Sequence, residues 1–358
     1  MTEIFLNSPS QPQRSTPDLI FETLNAYQRT SALKAAIELD VFTAIGEGAG
    51  TVAEIARRTR ASERGVRALC DYLVVFGFLT KQGSGQESAE ESADAPSYAL
   101  SADAAKFLDR RSPACIASTI GFLALPTMTD AFKDFADVVR SGKPHVAGGA
   151  GTTGPEDPIW VDFAIAMAPM QAPLAEFVAR IVSAESRQKW KVLDIAAGHG
   201  AFGTAIARHN PNAEIFALDW PQVLKVARDN ANAAGIGDRF HELPGSAFDI
   251  ELGGDYDIIL VTNFLQLFDP PAIERLMRKV HAALKPNGRA VTLGFIPNED
   301  RVTPPAAAAF AISMLGTTSG GDAYSFPEYV SMFRHAGFTS NEFVPLPAGP
   351  QSVIVSRK

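Results

Sequence analysis

The stretch Lys191-Val-Leu-Asp-Ile-Ala-Ala-Gly-His-Gly-Ala-Phe-Gly203 constrains this chain more than any other. Val192, Leu193 and Ile195 read as a short buried strand. Gly198, Gly200 and Gly203 read as a turn free of obstructing side chains, and Thr204 to Arg208 as the opening of a helix. That order makes a nucleotide cradle: the glycines let a ligand approach the backbone closely, and the helix N-terminus offers it unpaired N–H groups. The spacing Gly198-x-Gly200-x-x-Gly203 also fits the dinucleotide fingerprint, so the glycines alone leave NAD and other adenosine ligands open.

Asp194 narrows the choice. A strand that leads to a pyrophosphate runs apolar into its first glycine, because a carboxylate just before the turn would stand close to negative phosphates. The acid found there suits a cationic ligand, and S-adenosylmethionine carries an ammonium and a sulfonium but no phosphate. The next strand, Glu214-Ile-Phe-Ala-Leu-Asp219, ends in a carboxylate placed to accept both hydroxyls of a ribose. A third strand end follows at Gly245-Ser-Ala-Phe248, and a fourth strand, Asp257-Ile-Ile-Leu-Val-Thr262, runs into Asn263-Phe-Leu-Gln266. With these elements the chain resembles the class I S-adenosylmethionine-dependent methyltransferases, and specifically the small-molecule O-methyltransferases that carry an N-terminal dimerisation domain. The resemblance covers nearly the whole chain.

Composition sets the outer limits. A chain of 358 residues that is 46% hydrophobic is long enough for two domains, each with its own core. Its net charge of −8, with no basic run, argues against a nucleic-acid or anionic membrane partner and for a small molecule. Cys70 and Cys115, the two cysteines, sit in apolar helical surroundings and offer neither a disulfide framework nor a thiolate metal site. Without a signal-like N-terminus or an apolar run of about 20 residues, the expectation is a soluble, cytoplasmic protein with no metal.

Three domains are expected. Residues 1–105 open with a loose arm over 1–17. Helical periodicity runs from Pro17 to Ile45, and two further helices open at Thr51 and Ser62. Thr51-Val-Ala-Glu54 has the form of a capping box. A β-wing begins at Gly77-Phe-Leu-Thr80, resumes at Tyr98-Ala-Leu100, and has a flexible polar tip over 81–97. This is a winged-helix pattern, but its would-be groove helix offers Arg64 and Arg67 alongside Glu63 and Asp71, so DNA binding is not expected. The resemblance instead implies a homodimer paired through this domain, with Tyr27 close to the neighbour's pocket. Residues 106–185 form a helical bridge, including a Gly-rich loop at 148–151. Trp160, Phe163, Met167 and Met170 share one helix face there. That stripe reads as ordinary core, while the resemblance makes Trp160, Phe163 and Met167 pocket-lining. Residues 186–358 alternate strands and helices as a doubly wound parallel sheet requires, and end in a hairpin of Glu342–Val344 and Ser352–Ser356. The fold class is therefore α/β, a seven-stranded Rossmann-like methyltransferase sheet preceded by a mainly helical winged domain.

Gly198 and Gly200 would pass backbone along the methionine part of the cofactor, and Asp194 would support the loop. Asp219 would take the ribose, Trp220 and Phe248 would cover the adenine, and Ser246, Ala247 and Asn263 would complete the site. Two positions depart from the family. The family pattern Gly-Asp at the third strand end is here Gly245-Ser246, a neutral acceptor where a carboxylate is usual. After the fourth strand the family places a general-base His in Leu-His-x-Phe/Trp-Asp, whereas this chain reads Leu265-Gln266-Leu267-Phe268-Asp269. An amide does not titrate near neutral pH and cannot take the proton.

None of the six histidines lies near Gln266 in sequence. His199 reads as a solvent-facing loop residue, and His209, His241, His281 and His335 as surface residues. Glu299 or Asp300 would serve as base if burial raised its pKa, a surface carboxylate being the plainer reading. Phe310 and Met314 would complete the substrate wall. The function expected is an S-adenosylmethionine-dependent methyltransferase acting on a small, aromatic or polyketide-like acceptor. A relative with C- or N-directed or non-methylating chemistry, and a ligand-sensing regulatory module, remain open alternatives.

Overall fold

The computed structural model describes residues 16–83, 96–144, 157–347 and 349–358. Most of the arm and of the wing tip, together with His145 and the loop at 148–151, lies outside the described residues. The chain divides into two compact units, Met1–Ile120 and Gly121–Lys358.

In the first unit the helical periodicity over 17–45 resolves into three helices, Asp18–Leu24, Ala26–Glu38 and Val41–Gly46. The breaks have a backbone cause, since Asn25 leaves the helical region and Asp40 adopts a left-handed φ of 59°. Val52–Thr59 begins at the expected capping box, with Glu54 N–H donating to Thr51 Oγ1 and the Glu54 carboxylate accepting from Thr51 N–H at 2.9 Å. Glu63–Val75 follows its Ser62 cap. The wing strands β1 (Leu79–Gln82) and β2 (Ser97–Leu100) pair antiparallel, Leu79 opposite Leu100. Asp71 ties this wing to the preceding helix by accepting from Lys81 Nζ at 2.6 Å and from the Tyr98 hydroxyl at 2.7 Å. These bonds hold the Asp71 carboxyl below its usual range, Lys81 being the largest cause. The helix Asp18–Leu24 buries none of its residues, and Leu19, Ile20, Phe21 and Leu24 are all exposed.

The second unit is built on seven strands: β3 (Lys191–Ile195), β4 (Glu214–Asp219), β5 (Phe240–Pro244), β6 (Tyr256–Thr262), β7 (Leu284–Phe295), β8 (Ser340–Pro345) and β9 (Gln351–Arg357). Their order in the sheet is β5-β4-β3-β6-β7-β9-β8. The first five run parallel, and β9 lies antiparallel between β7 and β8. Helices cover both faces with two separate apolar cores, so the central strands are nearly continuous in apolar residues. The order reverses between β3 and β6, which places the ligand crevice outside the C-terminal ends of these strands. The helix Ile159–Ile181 carries Met167 buried on its inner face and continues through Pro169 and Pro173. No described helix is long and apolar enough to cross a membrane, and the described residues contain no cluster of metal-ligating side chains.

Gly203 lets the helix Ala201–His209 lie against the sheet: a Cβ there would stand 2.6 Å from Ile215 Cγ2 and 3.2 Å from Asp194 Oδ2. Gly203→Ala is expected to destabilise the protein by about 1–3 kcal/mol in chemical denaturation. An unchanged midpoint and slope would contradict this contact.

Candidate active site

The strand ends bring the expected cofactor residues to one edge of the sheet. β3 runs out at Ile195 into a turn where Ala196, Gly198 and Gly200 all have positive φ, of 54°, 58° and 74°. A Cβ on Gly198 would meet nothing nearer than Ala196 O at 3.9 Å, so this stretch of backbone stays open to a ligand. Two carboxylates hold the turn. Asp194, fully buried, accepts from Gly203 N–H at 3.0 Å through Oδ2, while its Oδ1 is buried without a hydrogen-bond partner. Asp219, at the end of β4, accepts from Gly198 N–H at 2.8 Å and from Trp220 N–H at 2.7 Å. One side chain thus bridges the glycine turn and the next helix.

Burial penalises both anions. It pushes the Asp194 carboxyl up to about 7 and that of Asp219, which keeps part of its surface open, up to about 6. Two acids beside one glycine turn form an environment that repels a pyrophosphate and favours a cation.

Trp220 caps the helix Pro221–Ala233 and is partly exposed. After β5, Ser246 Oγ accepts from Phe248 N–H at 3.2 Å, and Ala247 is buried. Phe248 packs edge-on to Phe268 at 4.9 Å, beneath the Arg275 guanidinium. This loop has an anchor that the sequence did not disclose: Lys279 Nζ, from the helix Pro270–Ala283, donates to the carbonyls of Ala247, Phe248 and Ile250 at 2.8–3.0 Å.

Asn263 follows β6 with a left-handed φ of 53°, and its side chain is engaged at both ends. Its Nδ2 donates to Gln171 Oε1 at 3.1 Å, and its Oδ1 accepts from Gln351 Nε2. The amide therefore links the helix Ile159–Ile181 to β9. Neither Gln171 nor Gln351 falls in a recognisable motif, and both are buried.

Gln266 is buried in the short turn Leu265–Leu267, with its Oε1 accepting from Phe295 N–H at 3.4 Å at the end of β7. The Phe295 ring stacks on Phe310 with 3.8 Å between centroids and 8° between planes. Met314 is buried on the same helix, Phe310–Thr317. The structure thus joins Asn263, Gln266 and Phe310 around the ends of β6 and β7. A second aromatic group forms on the helix Ile159–Ile181, where Phe163 meets Trp160 at 6.2 Å and Phe122 at 5.0 Å.

Two expectations fare differently. His199 is not solvent-facing: it is buried, its Nδ1 accepts from Ala201 N–H at 3.0 Å, and burial pushes its pKa down to about 4. The glycine turn folds inward beneath the helix start and takes the ring with it. Glu299 lies on an exposed turn after β7, so the burial that a base there would need is absent. Asp300 beside it is held below the usual carboxylate range by the Thr303 hydroxyl and backbone N–H donors.

Comparison with known proteins agrees along both units. A family model described as an O-methyltransferase domain matches residues 163–339, and one described as an O-methyltransferase dimerisation domain matches residues 21–110. A crystal structure from Nostoc punctiforme, of a protein described as a candidate O-methyltransferase, is 46% identical. Its TM-score is 0.87, over 96% of this chain and 99% of that one. The mitomycin biosynthesis 6-O-methyltransferase of Streptomyces lavendulae is 25% identical over 98% of this chain and 97% of its own. Human N-acetylserotonin methyltransferase, solved in complex with S-adenosylmethionine, is 20% identical with a TM-score of 0.82 over 98% of this chain and 99% of that one. At that identity the likeness speaks for the fold alone.

The pKa of Asp194 is higher in the folded protein than its value of 3.8 elsewhere, so folding takes up a proton at intermediate pH. Its contribution to stability is complete below about pH 4 and is lost as the pH rises toward 7. Between about pH 5 and 7 the unfolding free energy of the wild type should fall, relative to Asp194→Asn, by on the order of 2 kcal/mol. Denaturant titrations at the two pH values measure this, and a difference that does not change with pH contradicts it.

Proposed function

We propose, from the premise that the chain belongs to the O-methyltransferase family with an N-terminal dimerisation domain, that it transfers a methyl group from S-adenosylmethionine to a small aromatic acceptor of secondary metabolism. The single observation that carries the cofactor assignment is the open glycine turn flanked by two acids, the buried Asp194 and the partly buried Asp219. The residues present fit this cofactor. Gly198 leaves its methionine part room against the backbone, Gly200 lets the turn pack on Ala227, and Asp194, with one oxygen unpartnered, provides negative potential for its cationic end. Asp219 has lone pairs left for a ribose. Ala247, Phe248 and Trp220 offer apolar cover to an adenine, with Ser246 accepting from its amino group. When bound, the cofactor supplies a methyl group already activated by a positive sulfur.

The protein's own contribution is positioning and the exclusion of water. Phe295, Phe310 and Met314 on one side, and Trp160, Phe163 and Met167 on the other, are the surfaces we assign to a flat apolar acceptor. Asn263 is assigned as a bracket: its amide holds the helix Ile159–Ile181 and β9 in register with the end of β6. Glu299 receives no role. The exposed apolar face of Asp18–Leu24, continued by Tyr27, is the surface we assign to pairing with a second copy of the chain.

Calorimetric titration tests the cofactor site. The wild type should bind S-adenosylmethionine and S-adenosylhomocysteine, and Asp219→Ala should weaken both about tenfold or more, the loss of hydrogen bonds to a charged group. A folded wild type that binds neither compound would remove the assignment.

A further inference from the structure

Gln266 stands where the resembling family has its general base, and its surroundings determine which end of the amide faces the acceptor. Its Oε1 accepts from Phe295 N–H at 3.4 Å. A Cβ on Gly294 would lie 3.0 Å from the same oxygen, so the oxygen packs directly on the Gly294–Phe295 backbone. A main-chain N–H can only donate, so it selects the carbonyl end of the amide and turns Nε2 away with both hydrogens. No described residue accepts those hydrogens, and Nε2 is not among the polar atoms sealed in the core without a partner, although the residue as a whole is 5% exposed. The site therefore offers a fixed donor where a base would have been an acceptor.

The titratable groups packed around it do not replace that base. Asp269, on the same segment, accepts from Ala272 N–H as a helix cap. Asp322, whose N–H donates to Gln266 O, is paired with Arg301, as is Glu328. The Tyr324 hydroxyl donates to Phe268 O, and the Tyr329 hydroxyl stands 3.9 Å from the Cβ position of Gly294. Burial holds both phenols protonated. The described histidines lie elsewhere, His209, His241 and His335 each paired with a glutamate.

We infer that the acceptor enters as an oxyanion, a phenolate or the enolate of an acidic carbonyl compound, and that Gln266 Nε2 donates a hydrogen bond to that oxygen. The proton has already gone to solvent, so the oxygen's lone pair is free to form the new C–O bond. The breaking C–S bond leaves its electron pair on sulfur, and no proton remains to be placed. The inference rests on the methyltransferase reading and goes beyond it by naming the ionisation state that the site selects.

The test uses 4-nitrophenol, whose anion absorbs visible light, bound to the full-length protein saturated with S-adenosylhomocysteine. Spectroscopic pH titration of the bound phenol should give a pKa at least one unit, or tenfold, below that of the free phenol. Gln266→Leu should abolish the shift. Gln266→Glu keeps the shape and the bond from Phe295 N–H but replaces the donor with an anion, and it should raise the bound pKa above the free value. An unshifted or raised pKa in the wild type, a shift retained in Gln266→Leu, or no binding of the phenol overturns the inference. Calorimetry with S-adenosylhomocysteine on the same samples reads the cofactor site separately. Binding of that compound without a lowered phenol pKa overturns the oxyanion alone, and failure to bind it overturns the methyltransferase reading as well.

Discussion

Two carboxylates, one buried and one partly buried, hold one turn of glycines, and much of the second unit serves to keep them there. Asp194 pulls the start of the helix Ala201–His209 onto β3 through Gly203 N–H, and Asp219 crosses from β4 to Gly198. Each anion forgoes hydration, which is costly unless hydrogen bonds or an opposite charge compensate. The backbone N–H groups supply part of that compensation, and Asp194 Oδ1 is left without any. A positive charge bound beside the turn would lower the cost of both anions through space, while a phosphate would raise it. Ligand choice here thus follows from which charges the fold has already buried.

The rest of the sheet positions the surfaces assigned to the acceptor by the same economy of contacts. β9 inserts antiparallel beside β7, which brings Gln351 within reach of Asn263 and so couples the C-terminal hairpin to the helix Ile159–Ile181. The same β7 end supplies Phe295 twice, as an N–H that orients Gln266 and as a ring that stacks on Phe310. The glycine at 294 leaves room for that double use, because a Cβ there would stand 3.0 Å from the amide oxygen and press on it.

Legibility in the sequence follows the range of the interaction. Features set by neighbours along the chain were readable: the strand before the glycines, the Thr51–Glu54 capping box and the cap at Ser62 are each fixed by residues within a few positions of one another. Asp194 and Asp219 were readable because a strand end is a defined place and a charge there has few explanations. What escaped depends on distant partners. Gln171 and Gln351 have no local signature: the packing of the helix Ile159–Ile181 brings the first to Asn263, and the sheet order brings the second. Lys279 looks like any surface lysine of an amphipathic helix until its amine is seen collecting three carbonyls from residues 247–250. His199 was misplaced because a glycine-rich turn reads as open loop, whereas its ring is folded beneath the helix start. The stretch over 17–45 read as helix by periodicity, and its break at Asp40 is a matter of one left-handed residue.

The most direct test of the central claim is the proton balance of cofactor binding. Because burial raises both carboxyl pKa values in the ligand-free protein, a cation bound beside the glycine turn would favour their ionised forms. Calorimetry of S-adenosylmethionine binding at about pH 6.5, in buffers of differing ionisation enthalpy, should therefore show net release of protons to the buffer, diminished in Asp194→Asn. Binding with no proton release, or with uptake, would show that the buried acids do not sense the ligand's charge and would contradict the account.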